Sequence, residues 1–217
     1  MYEFSLVQKI IIAAIPIIFA ITVHEVAHGW VASKLGDPTA KLAGRLTLNP
    51  VKHVDLLGTI AVPLIMIALT PFAFGWAKPV PVDWRNLRQP RRDMALVAAA
   101  GPGANVIMLA LWTLLLSSMA TTGSDISYLA TLLIEMAKVG IIINIVLIAL
   151  NLLPLPPLDG SRIVTSFLSP GAAYKYNLLE RWGLPILVVL IFTGVLGKIL
   201  HPLIGFMLSI VNTLLGG

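Results

Sequence analysis

Long apolar stretches are the feature that most constrains this chain. Five of them stand out, at about residues 7–32, 56–74, 94–122, 139–158 and 183–217. Each approaches or exceeds the roughly 20 residues that a helix needs to span the hydrocarbon of a bilayer. The 217 residues are 58% hydrophobic and 12% charged, whereas soluble domains are roughly one quarter charged. We therefore expect an all-α polytopic membrane protein that forms one membrane-embedded domain over residues 1–217.

The charged residues exclude some functions and limit the chemistry of any metal site. The net charge of +5 lies mainly in loops between apolar stretches, where cytoplasmic flanks of membrane helices carry Lys and Arg. We expect the lipid bilayer as a partner and no nucleic acid. The chain has no cysteine, so His, Asp and Glu are the only strong metal ligands that it offers.

Loop charge also predicts the topology. Residues 34–55 and 75–93 are both rich in Lys and Arg, which places both loops on the cytoplasmic side. The stretch 56–74 between them would then enter the membrane and return, and Pro63 and Pro71 supply breaks for such a re-entrant path. The alternative, an ordinary span kinked by proline, stays open. The C-terminal stretch could form either one helix or two, and the sequence does not decide between them.

The first chemical signal is His24-Glu25-Val26-Ala27-His28 in the first apolar stretch. Positions i and i+4 share one helix face, so the two imidazoles can bind one zinc ion while Glu25 reaches the attacking water as a general base. Ionisable residues inside a membrane helix are expensive to insert and usually functional. The alternative is a polar cluster that reaches the interface at a helix end.

The second signal is the proline-rich run from Asn151 to Gly160, which presents Asp159. Its prolines end the fourth apolar helix, and Asp159 can then supply a third ligand. Two His and one carboxylate leave a fourth tetrahedral position open, as in catalytic zinc sites. The alternative is an aspartate that caps the next helix. If Asp159 meets His24 and His28, the first and fourth helices run in the same direction, which again makes 56–74 re-entrant.

Three motifs together resemble the site-2 protease family of intramembrane zinc metalloproteases. They are HEVAHG at 24–29, GPGAN at 101–105 and NLLPLPPLDG at 151–160. The resemblance covers about residues 10–162. Within the family, the chain resembles the small bacterial and archaeal members, which have no PDZ or CBS domain. The family's LDGG is here Leu158-Asp159-Gly160-Ser161.

The resemblance implies a role for each matching residue. His24, His28 and Asp159 match the ligands of one Zn²⁺ per chain, and Glu25 matches the catalytic base that activates water at the zinc. Asn151 matches an asparagine that orients substrate or stabilises the oxyanion.

The resemblance also implies a fold and an activity. It implies a core of three transmembrane helices, a membrane-associated β-hairpin region at 37–50, and an extended segment at 75–82 with which a strand-like substrate could pair. The implied reaction is hydrolysis of peptide bonds within or near transmembrane segments of protein substrates, with the active site toward the cytoplasmic side of the cell membrane. Two alternatives from other classes remain, a metal-ion transporter and a catalytically silent scaffold of the same fold.

Overall fold

A computed structural model describes residues 3–62, 75–120 and 127–216. The described residues are helical with no strand. Their α-helices are α1 (Leu6–Lys34), α2 (Thr39–Leu42), α3 (Pro90–Ala120), α4 (Tyr128–Asn151), α5 (Asp159–Phe167), α6 (Pro170–Asn177), α7 (Glu180–Phe192) and α8 (Val195–Leu214). Four of them, α1, α3, α4 and α8, are long and apolar enough to cross a membrane. The chain is therefore a multi-pass membrane protein.

Helices α1, α3 and α4 form the three-helix core that the sequence predicts. Between α3 and α4 the packing is close because Gly140 leaves room for Trp112, where a β-carbon would lie 2.5 Å from the indole ring. Ile145 on α4 is completely buried, and α8 covers this part of the core through Val211. Residues of α3, α4 and α8 therefore share one apolar cluster.

The direction of α3 follows from its contacts with α1. His24 on α1 contacts Asn105 on α3, whereas His28, one turn later, contacts Val97, two turns earlier on α3. The two helices are thus antiparallel. The end of α1 accordingly meets the start of α3, and the backbone N–H of Arg88 donates to the carbonyl of Leu35 at 3.1 Å.

The predicted re-entrant stretch 56–74 lies largely outside the described residues. The residues before and after the part that is not described are in contact, since the N–H of Trp76 donates to the carbonyl of Gly58 at 3.0 Å. A single turn of π-helix, Leu56–Ala61, begins the stretch and is capped by Asp55, which accepts from the N–H groups of Leu57 and Gly58. The described residues on either side of this stretch therefore lie next to each other.

The predicted β-hairpin at 37–50 is wrong. This region contains the short helix α2 and a 3₁₀-helix, Pro50–His53. Asp37 is completely buried and accepts hydrogen bonds from the N–H of Thr39, the N–H of Asp83 and the side chain of Asn86. These contacts stabilise a helical turn after Asp37 and fasten it to the loop before α3.

One predicted helix boundary differs from the structure, and the number of C-terminal helices that the sequence left open is two. Helix α4 begins at Tyr128 rather than near residue 139, because Glu135 and Lys138 form an exposed ion pair of 2.7 Å and are tolerated on the helix surface. The C-terminal stretch forms two helices, α7 and α8. They are separated at Gly194, whose φ of +71° is a left-handed conformation that glycine adopts readily.

Candidate metal centre

Three potential ligand atoms converge where α1 meets the start of α5. His24 Nε2 and His28 Nε2 are 3.1 Å apart, and each lies 3.3 Å from Asp159 Oδ2. A tetrahedral zinc ion with bonds of about 2.0–2.2 Å holds its ligand atoms roughly 3.3 Å apart. The spacing of the three atoms therefore fits a zinc ion between them.

The orientation of the imidazoles supports the same conclusion. His24 Nδ1 faces the side-chain oxygen of Asn105 at 2.6 Å, and His28 Nδ1 faces the carbonyl oxygen of Val97 at 2.7 Å. Because both partners only accept hydrogen bonds, each Nδ1 carries the proton and each Nε2 presents a lone pair. Two such lone pairs and the oxygen of Asp159, which has no hydrogen-bond partner, then face one point. A cation at that point removes their mutual repulsion.

A chain of hydrogen bonds across three helices fixes the orientation of Asn105. Asn105 is completely buried, and its Nδ2 donates to Asn144 Oδ1 at 2.8 Å. Asn144 in turn donates from Nδ2 to the carbonyl of Gly140 at 2.7 Å. The backbone of α4 therefore determines which way each amide points and directs Asn105 Oδ1 at His24. Such partners of a ligating histidine fix its tautomer and ring orientation.

Gly101 on α3 provides the space that the two imidazoles occupy. A β-carbon at this position would lie 2.5 Å from His24 Cε1 and 2.6 Å from His24 Nε2. Any larger residue would displace the rings from their present positions. Gly103, two residues later, faces open space, so the requirement is specific to position 101.

The turn after α4 positions Asp159 at the first residue of α5. A β-carbon on Gly160 would lie 2.5 Å from the carbonyl oxygen of Leu153, so this turn packs tightly against the end of α4. Ser161 further closes the turn by donating from Oγ to the carbonyl of Leu158 at 2.6 Å. Asp159 is thus held by the close packing of its neighbours along the chain.

Glu25 lies beside the three convergent atoms and does not join them. Its Oε2 accepts a hydrogen bond of 2.8 Å from the N–H of Val80, which lies in the non-helical segment 75–83. Glu25, His24, His28 and Asp159 line one cavity of about 630 Å³. A carboxylate free of the metal but next to it is available for proton transfer.

Asn151 lines the same cavity near the end of α4. Its Nδ2 donates to the carbonyl of Leu147 at 3.0 Å, one turn back in its own helix. The structure thus brings together all five site residues that the sequence singles out. The hydrogen bond between Asn105 and Asn144 is the interhelical contact that the sequence predicts for asparagines in apolar helices. The contact of Asn105 with His24, the contact of Gly101 with the imidazoles and the Val80 N–H were not deduced from the sequence.

Comparisons with known proteins point to one family. A sequence model described as Peptidase family M50 matches residues 116–193, which include Asn151 and Asp159. The chain is 41% identical over 204 residues to a Bacillus subtilis protein named "Putative zinc metalloprotease YwhC", covering 94% of this chain and 89% of the relative.

Two further relatives are more distant. The Mycolicibacterium smegmatis protein Rip2, which carries the same zinc metalloprotease description, is 30% identical over 83% of this chain and 66% of its own length. The Mycobacterium tuberculosis Rip2 is 28% identical over 79% of this chain and 62% of its own length. No solved structure gives a significant match.

Proposed function

The chain belongs to peptidase family M50 and is a zinc metallopeptidase of the membrane, and from that premise we propose that it hydrolyses peptide bonds within or near transmembrane segments of other proteins. The proposal includes His24, His28 and Asp159 as the ligands of one Zn²⁺ per chain. It is carried by one observation: the convergent ligand atoms and the separate carboxylate of Glu25 share a cavity among membrane-spanning helices.

Each residue of the site has a distinct part in the proposed reaction. Zinc bound at this position supplies a Lewis acid that polarises the scissile carbonyl and makes water more acidic. The carboxylate of Glu25 takes a proton from the attacking water and returns it to the amine that leaves when the peptide bond breaks. Asn151 faces the cavity, and its amide is available to orient the substrate backbone.

The position of the site determines how the substrate must enter. Helical segments keep their carbonyls in hydrogen bonds, so a transmembrane substrate must unwind locally before its backbone can be attacked. The walls of the cavity supply apolar side chains, among them Ile21, Leu147 and Leu187, which suit the apolar residues of such a substrate. We propose that residues 1–217 act as one proteolytic unit whose site faces the cytoplasm, by analogy with the family.

Glu25→Gln tests this function against a metal-ion transporter. Glutamine keeps the shape of the side chain and can still accept from the Val80 N–H, but it cannot take the proton. We expect the purified variant to bind zinc like the wild type and to cleave no transmembrane peptide. Continued cleavage by Glu25→Gln would exclude the proposed mechanism, and the absence of chelator-sensitive cleavage by the wild type would favour a silent scaffold.

A further inference from the structure

Among the residues that the structure describes, the hydrogen bonds of the segment 75–82 beside Glu25 lie along one edge. The N–H groups of every second residue point to the body of the protein. Their bonds join Trp76 N to Gly58 O (3.0 Å), Lys78 N to His53 O (2.9 Å) and Val80 N to Glu25 Oε2 (2.8 Å). A spacing of two is that of an extended strand, in which successive residues direct their backbone groups to opposite edges.

The opposite edge is formed by Ala77, Pro79 and Pro81. No hydrogen bond joins the backbone of these three residues to any residue that the structure describes. Since proline has no N–H, this edge offers three carbonyl oxygens but only the one N–H of Ala77. Ala77 and Pro79 line the same cavity as Glu25 and Asp159, so the free edge borders the site of the reaction.

An ordinary strand edge would bind a substrate in a different way. In an antiparallel pair, each hydrogen-bonded residue exchanges both an N–H and a C=O with the residue opposite. Opposite Pro79 or Pro81 a substrate can donate its N–H, but its carbonyl finds no donor. That carbonyl remains available for polarisation and attack, whereas a carbonyl held by the strand would first have to break a hydrogen bond.

We propose that Pro79 and Pro81 are specificity-determining residues, at which the edge accepts hydrogen bonds from an extended substrate and donates none in return. The substrate is then recognised through N–H groups two residues apart, and its carbonyls stay free beside the site. This inference rests on the proposed function, because it concerns the same cavity and the same peptide substrate. It disfavours substrates with proline at either of the two donating positions.

Substrate amides can be removed one at a time to test this recognition. The probe is a short fluorescent peptide of Ala, Leu and Gly, N-methylated at a single residue in each member of a series, and binding is measured to zinc-loaded Glu25→Gln. We expect at least about tenfold weaker binding for methylated positions that are two residues apart, and little change for the positions between them. Equal effects at consecutive positions, or no binding of the unmodified peptide, would overturn the inference.

A variant of the protein tests the role of proline itself. Pro79→Ala adds an N–H to the free edge, which can now hold the substrate carbonyl. We expect peptide binding to become tighter, by up to about tenfold, with a lower KM and a lower kcat. If proline serves only to stiffen the segment, binding becomes weaker and KM rises, which contradicts the inference. Pro170→Ala, at the exposed start of α6, is the matched control and leaves both constants unchanged.

The two measurements separate this inference from the function on which it rests. Alternating effects of N-methylation in the binding series, without cleavage by the wild type, would support the free edge and refute the protease. Cleavage by the wild type without alternation would support the protease and refute the role of the edge.

Discussion

The side-chain oxygen of Asn105 lies 2.6 Å from Nδ1 of His24, in the interior of the three-helix core. The amide of Asn105 is itself held by Asn144, whose own amide is held by the carbonyl of Gly140. Three helices thus determine the tautomer of one histidine. The position of the zinc ligands consequently depends on helix packing as well as on the spacing of His24 and His28 along α1.

Asn105→Leu should therefore weaken zinc binding while leaving the three ligands in place. Loss of a hydrogen-bonding partner of a ligating histidine typically lowers metal affinity by about 10- to 100-fold. Competition with a coloured chelator would measure the affinity. Asn212→Leu, on the exposed face of α8, is the control and should bind zinc like the wild type. Equal zinc affinity in the Asn105 and Asn212 variants would mean that Asn105 does not orient His24.

Gly101→Ala should abolish both zinc binding and cleavage, since its β-carbon would occupy the space of the His24 ring. Gly103→Ala is the matched control on the same helix, where a β-carbon meets no atom within 4 Å. Both changes have the same effect on helix propensity, which favours alanine over glycine. We expect the Gly103→Ala variant to be fully active. Thermal unfolding in detergent should show that it is at least as stable as the wild type. Full zinc occupancy in Gly101→Ala would show that the site can expand.

The sequence predicted the candidate site better than it predicted the loops. His24 and His28 are close because of the local geometry of a helix, and the prolines before Asp159 end a helix wherever they occur. Both signals are short-range. The direction of the helices then followed from the requirement that Asp159 reach the two histidines.

The features that the sequence did not predict depend on long-range contacts. Gly101 and Asn105 acquire their roles only because α3 runs antiparallel to α1, and periodicity in a uniformly apolar helix does not indicate which face meets which neighbour. The error at 37–50 has a similar cause. The turn after Asp37 is stabilised by Asp83 and Asn86, which lie more than 45 residues away.

The orientation of the protein in the membrane can be measured directly, because the chain has no cysteine. Single cysteines at Lys41 and Gln89, which are exposed, should be labelled from the same side of sealed vesicles. A cysteine at Thr122, in the connection between α3 and α4, should be labelled from the other side. The loops with Lys41 and Gln89 should face the cytoplasm, because they are rich in Lys and Arg. Labelling of Lys41→Cys and Gln89→Cys from opposite sides would contradict the topology.

Asp37 should make the stability of the protein depend on pH. Burial alone would raise the pKa of Asp37, but hydrogen bonds from Asn86, Thr39 and Asp83 outweigh it and lower the pKa below its ordinary value. A carboxyl whose pKa is lower in the folded state stabilises the protein above the pKa of the unfolded chain, about 3.9. That stabilisation is lost as the pH drops through 3.9 toward the lower folded value.

Asp37→Asn tests this dependence by placing an amide opposite buried N–H groups. At neutral pH the variant should lose about 1–3 kcal/mol in free energy of unfolding, the usual consequence of unsatisfied buried donors. Below about pH 4 the difference from the wild type should shrink, because the carboxyl of the unfolded wild-type chain then takes up a proton and the charged folded form loses its advantage. Thermal unfolding in detergent at several pH values measures both effects. Glu135→Gln, at the exposed pair with Lys138, is the control and should lose far less, since surface ion pairs contribute little. A difference for Asp37→Asn that stays constant from neutral pH to below pH 4 would rule out the charge of Asp37 as its cause.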